Sequence, residues 1–182
     1  IKAASKGNPI LGLIKRTIDC KKKKVIIKLY KSLVRPHIEY CIQAWRPHLT
    51  KDIEVLEKVQ RRATRMIEEC KGKTYEERLL MTRLTTLEVR RTRADMVEVY
   101  KILRGQEGLH ETAFFTRLNS STRGHAMKLF KESVRKDTLK YSFGNRVINM
   151  WNKLPEKVVN SEGINPFKRG LDLFLRNFGG DL

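Results

Sequence analysis

Residues Leu29–Ile67 read LYKSLVRPHIEYCIQAWRPHLTKDIEVLEKVQRRATRMI, and their spacing sets the fold class as mainly α. Entering this stretch, Val25, Ile26, Leu29, Leu33 and Val34 recur at three- and four-residue steps, the period of an amphipathic helix that runs into Pro36. Proline lacks the backbone donor, so a kink or break is expected there. Ile38, Cys41, Ile42 and Trp45 then share one face up to Pro47, which puts the Cys41 thiol among small buried side chains and the Trp45 indole in the core. Thr50 is the expected N-cap of the next helix, with Asp52 and Glu54 in its first turn at the positive end of the dipole. Ile53, Leu56, Val59, Ala63, Met66 and Ile67 form its apolar stripe, which fades near Cys70 and Gly72. The opposite face carries Lys58, Arg61, Arg62 and Arg65, so the helix is apolar on one side and cationic on the other.

Working outward, Thr74 and Glu77 make a capping box for a short helix through Leu79 and Leu80, and Thr86 opens a longer one that Gly105 stops. Arg90, Arg91 and Arg93 fall early in that helix, where cations oppose the dipole and so call for an acidic neighbour or a phosphate. Residues 106–125, with Gly108, Ser120, Ser121 and Gly124, read as a linker. Beyond it, 126–130 and 133–139 are candidates for a short β-hairpin. Phe143–Leu154 reads as one helix with Val147, Ile148 and Trp151 inward, stopped by Pro155, and Asn165 as the cap of a last helix. The expectation is a helical region over 1–105, the linker, and a small α-rich subdomain over 126–182.

The chain carries 39 Lys and Arg against 20 Asp and Glu, a net charge of +19 over 182 residues. Such a chain repels itself unless an anion neutralises it, and a polyanion is the natural partner. The excess concentrates in residues 1–46, with 12 basic and 2 acidic side chains, where Lys21, Lys22, Lys23 and Lys24 form an unbroken run. A run this short can be a solvated patch, but the whole-chain excess favours phosphate contacts. No stretch approaches the roughly 20 apolar residues that span a bilayer, so no membrane partner is expected. Ile1 opens no signal peptide and the first residues read as mid-sequence, which points to a fragment of a longer intracellular protein of nucleus and cytoplasm.

Three widely spaced cysteines, Cys20, Cys41 and Cys70, make no disulfide framework and no zinc pattern; His37 and Cys41 are four apart, but two ligands are too few. The acidic pairs Glu68–Glu69 and Glu76–Glu77 read as solvated helix positions, not as metal-binding carboxylates. No phosphate-cradling glycine loop or nucleophile elbow occurs. His125, in Thr122-Arg123-Gly124-His125, is either a catalytic candidate or a turn histidine bonded to backbone.

Taken in order, several phrases resemble the C-terminal part of LINE-type, non-LTR retrotransposon reverse transcriptases of the jockey and chicken-repeat-like clades. They are LGLIKRT at Leu11–Thr17, LYKSLVRPHIEYCIQAW at Leu29–Trp45, LEKVQRRATRMI at Leu56–Ile67, YEERL at Tyr75–Leu79 and EVYKILRG at Glu98–Gly105, then RGHAMKLF at Arg123–Phe130, FGNRVINMWNKLP at Phe143–Pro155 and FKRGLD at Phe167–Asp172. The resemblance implies that 1–105 is the helical thumb that grips a template–primer duplex and that 126–182 is the family's C-terminal domain. The family's catalytic aspartates, its Mg requirement and its endonuclease lie upstream, so no catalytic residue, metal or cofactor is expected within this stretch. Some clades add a zinc knuckle, whose cysteines are missing here.

A thumb reads backbone shape through cations that meet phosphates. The expected contacts are Arg35, Arg61, Arg62 and Arg65, then Lys21, Lys22, Lys23, Lys24, Arg90, Arg91, Arg93 and Arg123. The expected partners are RNA, DNA or their hybrid, and the upstream polymerase domain of the parent RNA-directed DNA polymerase. The competing expectation is a domesticated protein-interaction module that uses the same helices without polymerase activity.

Overall fold

A computed structural model describes residues 2–118 and 124–178. The protein is mainly helical, as the spacing predicts. It divides into two compact units, 1–90 and 91–182, and the division falls inside one helix instead of in the expected linker.

The first unit begins with α1 (Lys2–Thr17), followed by α2 (Lys23–Leu29), a π-helical turn Tyr30–Val34, α3 (Arg35–Glu39) and α4 (Ile42–Trp45). Pro36 explains the π-turn: without its N–H the ladder widens by one residue before it, and Arg35 N–H donates to Tyr30 O. The expected kink is therefore realised as a bulge upstream of the proline. The helix does not continue through Cys41. Tyr40 is extended, and Cys41 is left-handed at φ 52°. The Cys41 thiol is accordingly exposed, not buried as the spacing had implied, because the turn rotates it out of the Ile38–Ile42 face. Trp45 is half-buried against the edge of the core.

The unit's long helix is α5 (Thr50–Arg65). Thr50 is its first residue and not its cap: Leu49 holds that position, its carbonyl accepting from Asp52 and Ile53 (2.9 and 3.1 Å), with no side-chain cap. Leu56, Val59 and Ala63 bury one face of α5 against Ala4, Leu11 and Ile14 of α1 and against Ile26, Tyr30, Val34 and Ile38. Gly7 permits the close approach of α1, since a β-carbon there would lie 3.3 Å from Ile38 Cγ2 and 3.5 Å from Val59 Cγ1. The expected capping box opens α6 (Tyr75–Thr82): Glu77 N–H donates to Thr74 Oγ1 (3.3 Å) and Thr74 N–H to Glu77 Oε2 (2.7 Å). Thr86 Oγ1 accepts from Val89 N–H (3.3 Å) to start α7 (Leu87–Leu103), and Gly105, at φ 66°, ends it.

A buried polar network ties α5 to its neighbours. Gln60 Oε1 accepts from the Tyr30 hydroxyl (2.9 Å), and Gln60 Nε2 donates to Tyr75 Oη (2.9 Å) and Thr85 O (3.0 Å). The Tyr75 hydroxyl in turn donates to Glu57, whose other oxygen accepts from Leu87 N–H (3.0 Å) at the start of α7. Burial and the Glu57 carboxylate push the Tyr75 hydroxyl well above its ordinary value.

In the second unit, α8 (Asp137–Lys140), α9 (Phe143–Arg146), α10 (Ile148–Asn152), α11 (Glu156–Val159) and α12 (Ile164–Phe178) follow. Val147 interrupts what the spacing reads as one helix over 143–154, but Val147, Ile148 and Trp151 are buried as expected. Trp151 is 0% exposed and donates from Nε1 to Met127 O (2.8 Å). Phe167 lies under it and stacks on Tyr100 with centroids 4.2 Å apart. The last helix starts at Ile164, so Asn165 lies within it instead of capping it. The expected hairpin takes another form: Leu129 bridges Arg117, with Leu118 N–H donating to Lys128 O (2.9 Å) and Phe130 N–H to Thr116 O (2.8 Å), so 126–130 does not pair with 133–139. Asn152 fixes that segment by bonding both the N–H (2.9 Å) and the carbonyl (2.8 Å) of Leu129.

Candidate functional site

The twelve cations singled out by sequence separate into two groups. In the first, the charge is already engaged. Lys21 Nζ donates to Lys15 O (3.0 Å) and Ile18 O, closing the carboxyl end of α1. Arg61 forms a two-point pair with Glu54 (2.9 and 3.3 Å), and its guanidinium lies 5.0 Å over the Tyr75 ring. Arg90 binds Glu39 through two nitrogens, one at 3.0 Å, and Arg35 approaches the same carboxylate at 3.6 Å. Burial and the neighbouring Arg90 hold the Arg35 guanidinium below its ordinary value. Arg93 pairs with Asp172 by two bonds, one at 3.1 Å. Arg91 is 0% exposed, so its guanidinium is not on the surface.

The second group faces solvent. Lys22, Lys23, Lys24 and Arg65 are exposed; Arg62 is exposed too and, among the described residues, is bonded only to the neutral Asn8 Oδ1 (2.7 Å). Arg123 lies outside the described residues.

Three cations that the motif reading passed over complete a more coherent surface. An open groove of the first unit runs between α2 with its π-turn and the end of α6, lined by Lys23, Lys24, Lys28, Lys31 and Arg83 over a floor of Ile27, Met81 and Thr82. Among the described residues no carboxylate lines it. Ile26, Tyr30 and Val34 anchor the opposite face of the same helix in the core, which forces Lys24, Lys28 and Lys31 outward. Glu69 accepts from the backbone N–H of Lys23 through both oxygens (3.1 Å each), capping α2. Its own backbone N–H and that of Lys23 hold the carboxylate below the usual range.

Arg83 sits at the turn that ends α6. Arg83 N–H donates to Leu80 O (3.1 Å) and Leu84 N–H to Leu79 O (3.0 Å), a Schellman closure whose left-handed residue is normally glycine. Here an arginine takes it, at φ 52° and ψ 40°. A side chain at that backbone position costs about 1–2 kcal/mol, which the closure absorbs while placing a guanidinium at the groove's rim.

His125, by contrast, is a buried structural histidine. Its Nε2 lies 3.0 Å from Trp151 O and donates to it, Nδ1 is buried with no hydrogen-bond partner among the described residues, and burial pulls its pKa down. Among the described residues no group of three or more His, Cys, Asp or Glu is placed to hold a metal ion, and no helix is long and apolar enough to cross a membrane. No family model, curated protein or solved structure matches the chain.

Proposed function

We propose that this chain is a nucleic-acid-gripping segment of a LINE-type retrotransposon reverse transcriptase, a thumb with its C-terminal extension, that holds a template–primer duplex or target DNA through phosphate contacts without itself supplying catalysis. The observation that carries the reading is the acid-free groove of Lys23, Lys24, Lys28, Lys31 and Arg83 in a chain of net charge +19. Lysines on one helix face at four- and three-residue steps meet successive phosphates of a backbone, and they read its path without reading sequence. Lys22, Arg62 and Arg65 add exposed cations to the same unit. The engaged arginines act elsewhere in the same unit: Arg61 pairs with Glu54 along α5, and Arg90 of α7 pairs with Glu39 of α3.

Binding to an RNA–DNA hybrid duplex, followed by fluorescence anisotropy across a salt series, tests the reading. Contacts to Z phosphates give a slope of log K against log salt of about −0.9Z for duplex DNA. A steep negative slope supports the reading, and absence of binding at low salt removes it. In that event the second reading stands, a protein-interaction module, for which the exposed Phe114, Phe130 and Leu139 along an open groove of the second unit are the specific feature.

A further inference from the structure

At one end of α1, Lys2, Ala3 and Lys6 line an open pocket together with His37, Tyr40 and Trp45, all within the first unit. The pocket owes its shape to the turn after α3. Cys41, which carries a β-carbon, adopts φ 52°, a backbone position that such residues keep only where the surroundings hold them. Those surroundings are visible. The Trp45 indole N–H donates to Tyr40 O, Ala44 N–H donates to Cys41 O (3.0 Å), and Ile38 and Ile42 are buried on either side. The consequence is that Tyr40 points away from the protein, 76% exposed, and among the described residues its side chain has neither a hydrogen bond nor a ring partner. Two aromatic side chains, two lysines and an imidazole thus share one recess, with no lining carboxylate among the described residues.

We propose that this pocket takes one unpaired nucleotide of a nucleic-acid strand, its base stacked on Tyr40 beside Trp45 and its flanking phosphates held by Lys2 and Lys6, with His37 as a further donor. Every base offers a π-face, so such a platform is tolerant of sequence, and cations beside it take up the phosphodiester charge. A duplex cannot use it, because its bases are already stacked and paired. The pocket therefore does something that the lysine groove does not: it selects a single-stranded end or overhang next to the gripped duplex. It rests on the reading that the partner is a nucleic acid.

The test uses the full chain with two probes, a fluorescein-labelled oligothymidylate and a blunt RNA–DNA duplex. Tyr40→Ala is expected to weaken oligothymidylate binding by about 5- to 150-fold, the range for loss of one stacked base, and to leave duplex binding unchanged. Tyr40→Phe, which keeps the ring, is expected to bind as the parent does. With Trp151→Phe as background, Trp45 fluorescence is expected to be quenched by the oligothymidylate and not by the duplex. Equal oligothymidylate affinity of Tyr40→Ala and parent, with duplex binding intact, overturns the pocket alone. Loss of both probes in the parent overturns the pocket and the nucleic-acid reading together. Tight binding of an acidic Glu–Tyr copolymer that oligothymidylate does not displace assigns the pocket to a peptide and overturns it as well.

Discussion

Gln60 is the residue whose replacement most directly tests how the first unit holds together. Its side chain is 0% exposed and joins Tyr30 on the helix before it to Tyr75 and Thr85 on the segments after it. Gln60→Leu keeps the volume nearly constant, so the cavity term is small and the loss is polar. It strips the Tyr30 hydroxyl and the Thr85 carbonyl of these partners, while the Tyr75 hydroxyl keeps Glu57. The buried Tyr30 hydroxyl left unbonded costs about 1–3 kcal/mol, whereas Thr85 is exposed and its carbonyl can turn to water, so the destabilisation is about 1–3 kcal/mol, a sizeable part of the roughly 5–15 kcal/mol that holds an ordinary domain. Tyr30→Phe alone orphans only Gln60 Oε1 and should cost about 1–3 kcal/mol. The double variant removes donor and acceptor of one bond together, so its cost should fall short of the sum by more than about 0.5 kcal/mol. Urea unfolding by circular dichroism supplies the free energies, and hydrogen exchange resolved by peptide locates the loss in α5. If Gln60→Leu unfolds within about 0.5 kcal/mol of the parent at unchanged m, or the pair is strictly additive, the network is not what couples these helices.

Arg83→Gly relieves the left-handed turn and removes a groove cation, so it is expected to leave the chain as stable or up to about 1–2 kcal/mol more stable while weakening duplex binding. A loss of stability would contradict the assignment of strain at φ 52°. His125 is held neutral by burial, its folded pKa below 6.5. The unfolded chain therefore binds the proton first, and the second unit's stability is complete above about pH 6.5, declines as pH falls through it, and levels off below the folded pKa. Urea midpoints of parent and His125→Gln from neutral to mildly acidic pH should diverge in that direction; parallel curves would refute it.

Sequence made legible what is local. The Thr74–Glu77 box, the Thr86 start and the Gly105 stop each close within a few residues, and Trp151 announces itself by an apolar stripe. Packing decided the rest. Gly7, Pro9 and Gly12 argue against a helix, yet α1 forms because Ala4, Leu11 and Ile14 bury against α5, where tertiary burial outweighs propensity. No glycine or proline marks the break at Cys41, so the thiol read as buried. The cationic character was readable, but its division was not. Arg90 finds Glu39 at a separation of 51 residues and Arg93 finds Asp172 at 79, whereas Lys28, Lys31 and Arg83 come to line one groove only through the packing of the first unit.

The central claim is that the α2–α6 groove grips a nucleic-acid backbone, and a charge-reversal comparison tests it most directly. Lys24→Glu with Lys28→Glu reverses two exposed groove cations; Lys157→Glu with Arg176→Glu changes net charge equally on exposed positions of the second unit. Anisotropy with the hybrid duplex across salt is predicted to show the groove variant losing about two phosphate contacts from its salt slope, with at least tenfold weaker binding at low salt. The matched variant should keep a slope near the parent's. Equal losses in both variants, or an unchanged slope in the groove variant, would contradict the account.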